Sequence, residues 1–267
     1  MMTMIMKELK SRRLMLLGFC IATFGFLWLY ISLWPFIQSQ SQSYTKLLDS
    51  FPKGFSQAFG IDANFLTSIE GYLGGEMYTL IWPLLAIILA VSGAGSTLAG
   101  EIEKGTIGTL LSQPFSRVRL AASKYVAGLI TLVVFVFASV VLAIPLAAVY
   151  RVTFWSYNFW VLSLLALLFG LAVYSFAFFV SAVSSERTRV YAISGGVLLI
   201  MYVANIISGL KANLSWLKYV SAFHYFNSSS ALLSGRLDSL SIAVFTLSIL
   251  LFAALGFIGF SRRDISV

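Results

Sequence analysis

Six long apolar runs divide the chain, at residues 14–37, 77–99, 123–149, 158–183, 190–208 and 240–260. Each is continuous rather than alternating, so none has the period-two pattern of a half-buried strand. About 20 mostly apolar residues are needed to cross the hydrocarbon core of a bilayer, and each run approaches or exceeds that length. Backbone groups in lipid must pair within their own segment, which leaves helices as the solution for such runs. The pattern therefore predicts an all-α integral membrane protein, one domain over residues 1–267, with six transmembrane helices. An even number of spans places both ends on the same side. One interval breaks the pattern: "GEIEKGTIGTLLSQPFSRVRLAASKYVAG", residues 100–128, crowds charges of both signs between the second and third runs.

Composition agrees with the spans. Only 10% of the residues are charged, against 59% hydrophobic, whereas a soluble domain carries about 25% charge. The formal net charge of +8 would suit nucleic acid, but the placement of the charges argues for topology instead. Twelve of the 18 Lys and Arg residues fall on the N-terminal segment, the loops after spans two and four, and the tail. Lysine and arginine mark cytoplasmic loops, so that side is expected to be cytoplasmic. The first run has a basic start, yet it is too long for the apolar part of a cleaved signal and no A-x-A-like site follows, so it is read as a retained anchor. The single cysteine, Cys20, lies within an apolar run and suggests a small buried or lipid-facing side chain. The single histidine, His224, has no ligand partners close in sequence, so no metal site is expected.

The cores of the six runs carry no acidic, basic or histidine side chain, Lys124 standing at the start of the third. Such groups within a span usually mark ion paths, proton relays or voltage sensors. Their absence argues against an ion-coupled carrier, an ion-selective channel and an intramembrane enzyme. The polar exceptions are serines, threonines and Asn205, a candidate for lining a pathway beside the plainer reading of a bond to a neighbouring helix. "SGAGSTLAG" late in span two and "SGG" at Ser194–Gly196 in span five read as close helix packing. No G-x-x-x-x-G-K-[ST] sequence is present, and the cytoplasmic loops are too short for a nucleotide-binding domain. Any energy for transport must then enter through another chain.

The charged interval offers the place for that entry. Residues 101–113 predict a short helix with Glu101 and Glu103 in its first turn, where acids complement the helix dipole. Gly105, Thr106, Gly108 and Thr109 allow another surface to approach closely, and Pro114 stops the helix. Ser116 is the expected N-cap of the third span. The result is an amphipathic elbow, against the blander reading of a solvated loop that only fixes topology.

"AGEIEKGTIGTLLSQPFSRVRLAASKY" resembles the signature of ABC-2 type transporter permeases: a glycine and an acidic pair ending span two, a G-T helix, a proline turn and a basic start to span three. "MKELKSRRL" is similar to that family's interfacial N-terminal segment, and residues 47–61 to its outer-loop stretch. Residues 216–235 resemble the segment before the sixth span, with Ala222 in place of the usual proline. The resemblance implies a multi-pass protein of a prokaryotic inner membrane, pairing with a second permease (a copy or a paralogue) and two copies of an ABC ATPase that binds ATP and Mg²⁺. It also implies cytoplasmic termini and an elbow acting as the coupling helix. There Glu101, Glu103 and Lys104 would meet the ATPase at the rim of the contact, and Ile107, Leu110 and Leu111 would fill its centre. Arg117 is expected to pair with an acid or a lipid phosphate.

Two outer stretches carry aromatics at near-helical spacing: residues 45–59, with Phe51 and Phe55, and residues 216–235, with Tyr219, Phe223 and Phe226 beside His224. An amphipathic piece lying in the interface has this pattern. The resemblance implies that the second stretch is partly re-entrant and that both contribute to an outer gate. The leading expectation is a permease subunit exporting a hydrophobic or amphipathic substrate. The alternative is a non-transporting scaffold that relays ATPase motion to a periplasmic or membrane partner.

Overall fold

The computed structural model describes residues 1–40, 68–112 and 116–264, and its regular structure there is helical throughout. Six helices are long and apolar enough to cross a bilayer: α1 (Met2–Ser39), α2 (Ile69–Gly95), α5 (Arg117–Val149), α6 (Ser156–Val183), α7 (Arg187–Leu210) and α10 (Ser239–Arg262). Between α2 and α5 lie the short helices α3 (Leu98–Glu103) and α4 (Ile107–Leu111). Between α7 and α10 run a 3₁₀ stretch, Ala212–Val220, then α8 (Ala222–Tyr225) and α9 (Ser228–Ser234). Phe51, Phe55 and Pro114, together with the predicted outer segment 45–59, lie outside the described residues, as does the Leu111 side chain.

Helix α6 is the most buried of the six and forms the axis of the bundle, packing most extensively against α10 and also against α2 and α5. The outward surfaces of α1, α7 and α10 are largely apolar, with Leu14, Ile21, Leu199, Ile200, Leu247 and Leu250 exposed. Lipid or another membrane helix can cover such faces, because tails and side chains are equally apolar. The interior is aromatic. Trp82 lies flat between Phe135 and Phe226, with ring centroids 5.9 and 5.7 Å away. Its indole N–H donates to the Ser139 hydroxyl at 2.8 Å, so the buried donor is satisfied and α2 is tied to α5.

Three helices depart from the regular forms the apolar runs predict. The N-terminal segment is not a separate interfacial piece: it is continuous with the first span in one helix of 38 residues. The second span begins earlier than predicted and ends sooner, because residues 73–81 wind as a π-helix and Ser96–Thr97 turn the chain into α3. The π winding leaves the Gly74 carbonyl to the hydroxyls of Thr79 (2.6 Å) and Ser228 (3.0 Å). A Cβ at Gly74 would lie 3.0 Å from the Ser229 Cα, so glycine is what lets α9 approach. The earlier start also brings Glu70 and Glu76 onto α2. About 20 residues counted back from Gly95 fill the hydrocarbon core, which leaves Glu70 beyond its edge and Glu76 at it. Glu70 is buried there and accepts the Trp155 N–H at 2.8 Å, while Glu76 is exposed. In α5 the break falls at Leu142, because Pro145 has no N–H to donate to the Val141 carbonyl.

The glycines of "SGAGSTLAG" pack closely as expected, whereas a Cβ on Gly195 or Gly196 of α7 would meet nothing within 4 Å in this chain. A Cβ on Gly95 would fall 2.5 Å from the Tyr191 ring, and one on Gly100 2.7 Å from the Arg187 guanidinium. The tightest position is Gly128 of α5, where a Cβ would lie 2.0 Å from the end of the fully buried Tyr174 ring. Gly128→Ala is therefore expected to destabilise by about 1–3 kcal/mol, the usual cost of overpacking. Gly18→Ala, with open space around it, should be neutral or slightly stabilising. Thermal unfolding of the two purified variants, followed by tryptophan fluorescence, tests the contrast.

Candidate functional site: a lysine shared at the elbow

The elbow is two helices rather than the predicted one. Helix α3 ends at Glu103, the chain turns through Lys104–Thr106, and α4 begins at Ile107. Gly105 makes the turn with φ of +69°, a left-handed conformation open to glycine at little cost. The Thr106 hydroxyl reaches back to the Glu101 carboxylate and closes the turn. Downstream, Ser116 caps α5 as expected, its hydroxyl accepting the Arg119 N–H at 3.2 Å.

Glu101 of this segment turns inward. Glu101 accepts from the Lys124 ammonium at 2.8 Å, and the same ammonium meets Glu8 of α1 at 3.2 Å. Glu8 also pairs with Arg12, one turn along α1, at 2.7 Å. Lys124 and Arg12 are each only 5% exposed. Two cations and two carboxylates thus neutralise one another where α1, α3 and α5 converge. Burying any one of them alone would be costly, and the arrangement holds because each has a partner. Helix α6 closes the cluster: the Tyr174 hydroxyl donates to the Lys124 carbonyl at 3.3 Å. Burial by itself would raise the Glu101 pKa, but hydrogen bonds from Lys124 and Thr106 and the charges of Lys124 and Lys104 outweigh it. Its carboxyl therefore titrates below the usual carboxylate range.

Glu103 holds the next helix. Its carboxylate accepts the Arg187 N–H at 2.9 Å, at the start of α7, and lies 3.7 Å from that residue's guanidinium. Arg117, expected to meet an acid or a lipid phosphate, instead donates to the Arg263 carbonyl, because the tail past α10 folds beneath the start of α5. Arg263 in turn caps the end of α6, donating to the carbonyls of Ala182 (3.1 Å) and Ser184 (2.7 Å). Both termini and the elbow therefore meet on one face of the bundle.

Ile107 does not offer itself to a partner: at 3% exposure it is packed in this chain's own core, since the α3–α4 turn points it inward. Leu110 is half-buried against the same core. Among the described side chains, those the elbow exposes are polar or small: Glu103, Lys104, Gly105, Thr106, Thr109 and Ser112. Asn205 is half-buried on α7, and its carbonyl accepts the Ser208 hydroxyl.

At the opposite face, the proposed gate residues divide. Phe226 is a core residue, stacked on Trp82 and tilted against Phe169. Phe223 packs edge-on against Tyr202 at 5.1 Å, and Tyr219 is 57% exposed. His224 is held below its ordinary pKa, first by burial and then by Lys218, with Asp238 acting the other way.

A family model described as ABC-2 family transporter protein matches residues 5–265. The chain belongs to that family. No curated protein matches it. As an ABC-2 family member it is the membrane permease subunit of an ABC transporter, a multi-pass protein that works with an ABC ATPase. Subunits of this kind generally lack a catalytic site of their own. Glu8 and Arg12 were not distinguishable in the sequence from the other charges of "MKELKSRRL". Their spacing of four residues, which puts both on one helix face, is the one signal that could have singled them out.

Lys124→Met should remove the counter-charge of two half-buried carboxylates and cost roughly 3–5 kcal/mol, whereas Glu101→Gln should cost less because the lysine keeps Glu8 as a partner and the glutamine can still accept its hydrogen bond. Melting curves of the two purified variants check the order. The depressed Glu101 pKa stabilises the fold fully above the ordinary value near 4.5, and that contribution is lost as the pH falls through the lower folded value. A pH series of melting temperatures should accordingly fall below about pH 4.5, and Glu101→Gln should flatten part of that fall.

Proposed function

We propose that this permease exports a hydrophobic or amphipathic substrate across a prokaryotic inner membrane, driven by ATP hydrolysed on two separate ATPase subunits that bind the nucleotide and Mg²⁺. Two permeases, copies or paralogues, form the pathway. The face carrying the termini and the elbow is cytoplasmic, since it holds twelve of the 18 basic residues. The observation that carries the reading is the shared lysine. The elbow's exposed polar edge continues through Glu101 into Lys124 and Glu8, so a force applied at Lys104 or Thr109 passes to α1 and α5 through ionic contacts rather than through a slack loop. The ATPase contact is accordingly polar at Lys104, Gly105, Thr106 and Thr109, with the apolar residues Ile107 and Leu110 supporting it from behind.

An amphipathic cargo suits the spans. Their acidic and basic side chains cluster at the two faces, leaving walls without charge at hydrocarbon depth. Lys104→Glu combined with Thr109→Asp should leave membrane insertion intact and abolish co-purification of the ATPase and stimulation of its ATP hydrolysis. Unchanged co-purification in that variant would refute the elbow as the docking site. Transport into inverted vesicles, compared with a hydrolysis-deficient ATPase, tests export. Coupled hydrolysis without any moved lipid or amphiphile would favour the relay alternative.

A further inference from the structure

Helices α7 and α10 both pack on α6 without closing on each other, and a cleft remains between them. Its floor is α6, at Phe169, Ala172 and Val173, and its walls are Val197 and Met201 of α7 and Val244 and Phe252 of α10. The cavity is about 150 Å³ and lined almost wholly by carbon. Two of its polar side chains are already engaged: the Ser248 hydroxyl donates to the Val244 carbonyl at 2.7 Å, and the Tyr225 hydroxyl to the Tyr219 carbonyl at 3.0 Å. The second bond holds the 3₁₀ stretch over the cleft as a roof.

A second cavity, of about 140 Å³, opens on the other side of Tyr225, and its character is the reverse. His224, Asn227, Arg236 and Asp238 line it. Asp238 is engaged in part, accepting the Leu240 N–H as the cap of α10. The exposed Arg236 guanidinium has no hydrogen bond or ion pair among the described residues. Lys218 adds a second positive charge close to His224.

The two cavities follow one track. Asp238 and Ser241, then Val244 and Phe245, then Ser248 and Phe252 form a single stripe down α10, while Leu165 and Phe169 continue it on α6. From Asp238 to Phe252 the track covers 14 residues, about 21 Å at the rise of an α-helix. One leaflet of a bilayer, headgroups included, is half of about 40–45 Å. A polar, cationic end and an apolar run of one leaflet's depth match the shape and charge order of a single phospholipid.

We infer that this cleft is a phospholipid site. The phosphate sits at Arg236, with Lys218 in support, and one acyl chain lies along α6 between α7 and α10, in the leaflet next to the face opposite the termini. The site does not depend on the export reading, since it needs only a membrane-embedded chain. Held there, the lipid fills a void beneath the 3₁₀ stretch and ties that stretch to the surrounding membrane.

The full-length protein, extracted in mild detergent and washed, can be assayed by native mass spectrometry with phosphatidylglycerol added back. The wild type should retain about one phospholipid per chain. Val197→Trp, which fills the cleft, and Arg236→Glu, which repels the phosphate, should each lower retention at least fivefold. Leu199→Trp, on the exposed face of α7, should retain the lipid as the wild type does and controls for folding and insertion. Full retention in Val197→Trp would overturn the site, and so would loss from Arg236→Glu alone, which would mean headgroup adsorption at the surface. An equal loss from Leu199→Trp would also overturn it, by showing that the retained lipid is unselective annular lipid.

Discussion

One ammonium group organises the face on which both termini lie. Lys124 stands at the start of α5, on a helix otherwise bound for lipid, and it is almost wholly withdrawn from solvent. Such a charge persists only with compensation close by. Here the compensation comes from two directions: Glu8 from α1 and Glu101 from the elbow. Because the carboxylates belong to different elements, neither element can move far without uncovering the lysine. The elbow's place against the bundle thus follows from an electrostatic constraint, and the polar side chains described on its outside are what remain after Glu101 and Ile107 have turned inward.

The rest of that face obeys the same rule of covering helix ends. Glu103 occupies the start of α7, where N–H groups are free, and Arg263 occupies the end of α6, where carbonyls are free. An acid at a helix start and a base at a helix end each have the sign that the helix dipole favours. Several of the sparse charges that a hydrophobic chain carries are thereby spent on the termini of its membrane helices.

The six helices were legible because an apolar run of bilayer length has one structural solution, and the cap at Ser116 because its local chemistry is self-contained. Where the reading failed, the deciding partner was distant in sequence. Ile107, which the family resemblance implies as a docking residue, is redirected into the core by the turn at Gly105. The π winding at 73–81 depends on Ser228, more than 140 positions away, which supplies a hydroxyl to the Gly74 carbonyl. Arg117, expected to pair with an acid or a lipid phosphate, meets the Arg263 carbonyl, which the tail brings from 146 positions away. Phe226, placed by its spacing on an amphipathic surface, stacks on Trp82 because α9 is drawn in by the close approach at Gly74.

Helix α1 has one more mechanical property. From Glu8 to Trp34 it runs 26 residues without a break, about 39 Å, and at its far end Trp34 rests on Tyr72 with ring centroids 5.5 Å apart. A rod of that span has no slack. Tilting it enough to part Glu8 from Lys124 must slide Trp34 over the beginning of α2, so news of a broken ionic contact would arrive at the opposite surface along the outside of the bundle, leaving the aromatic interior undisturbed.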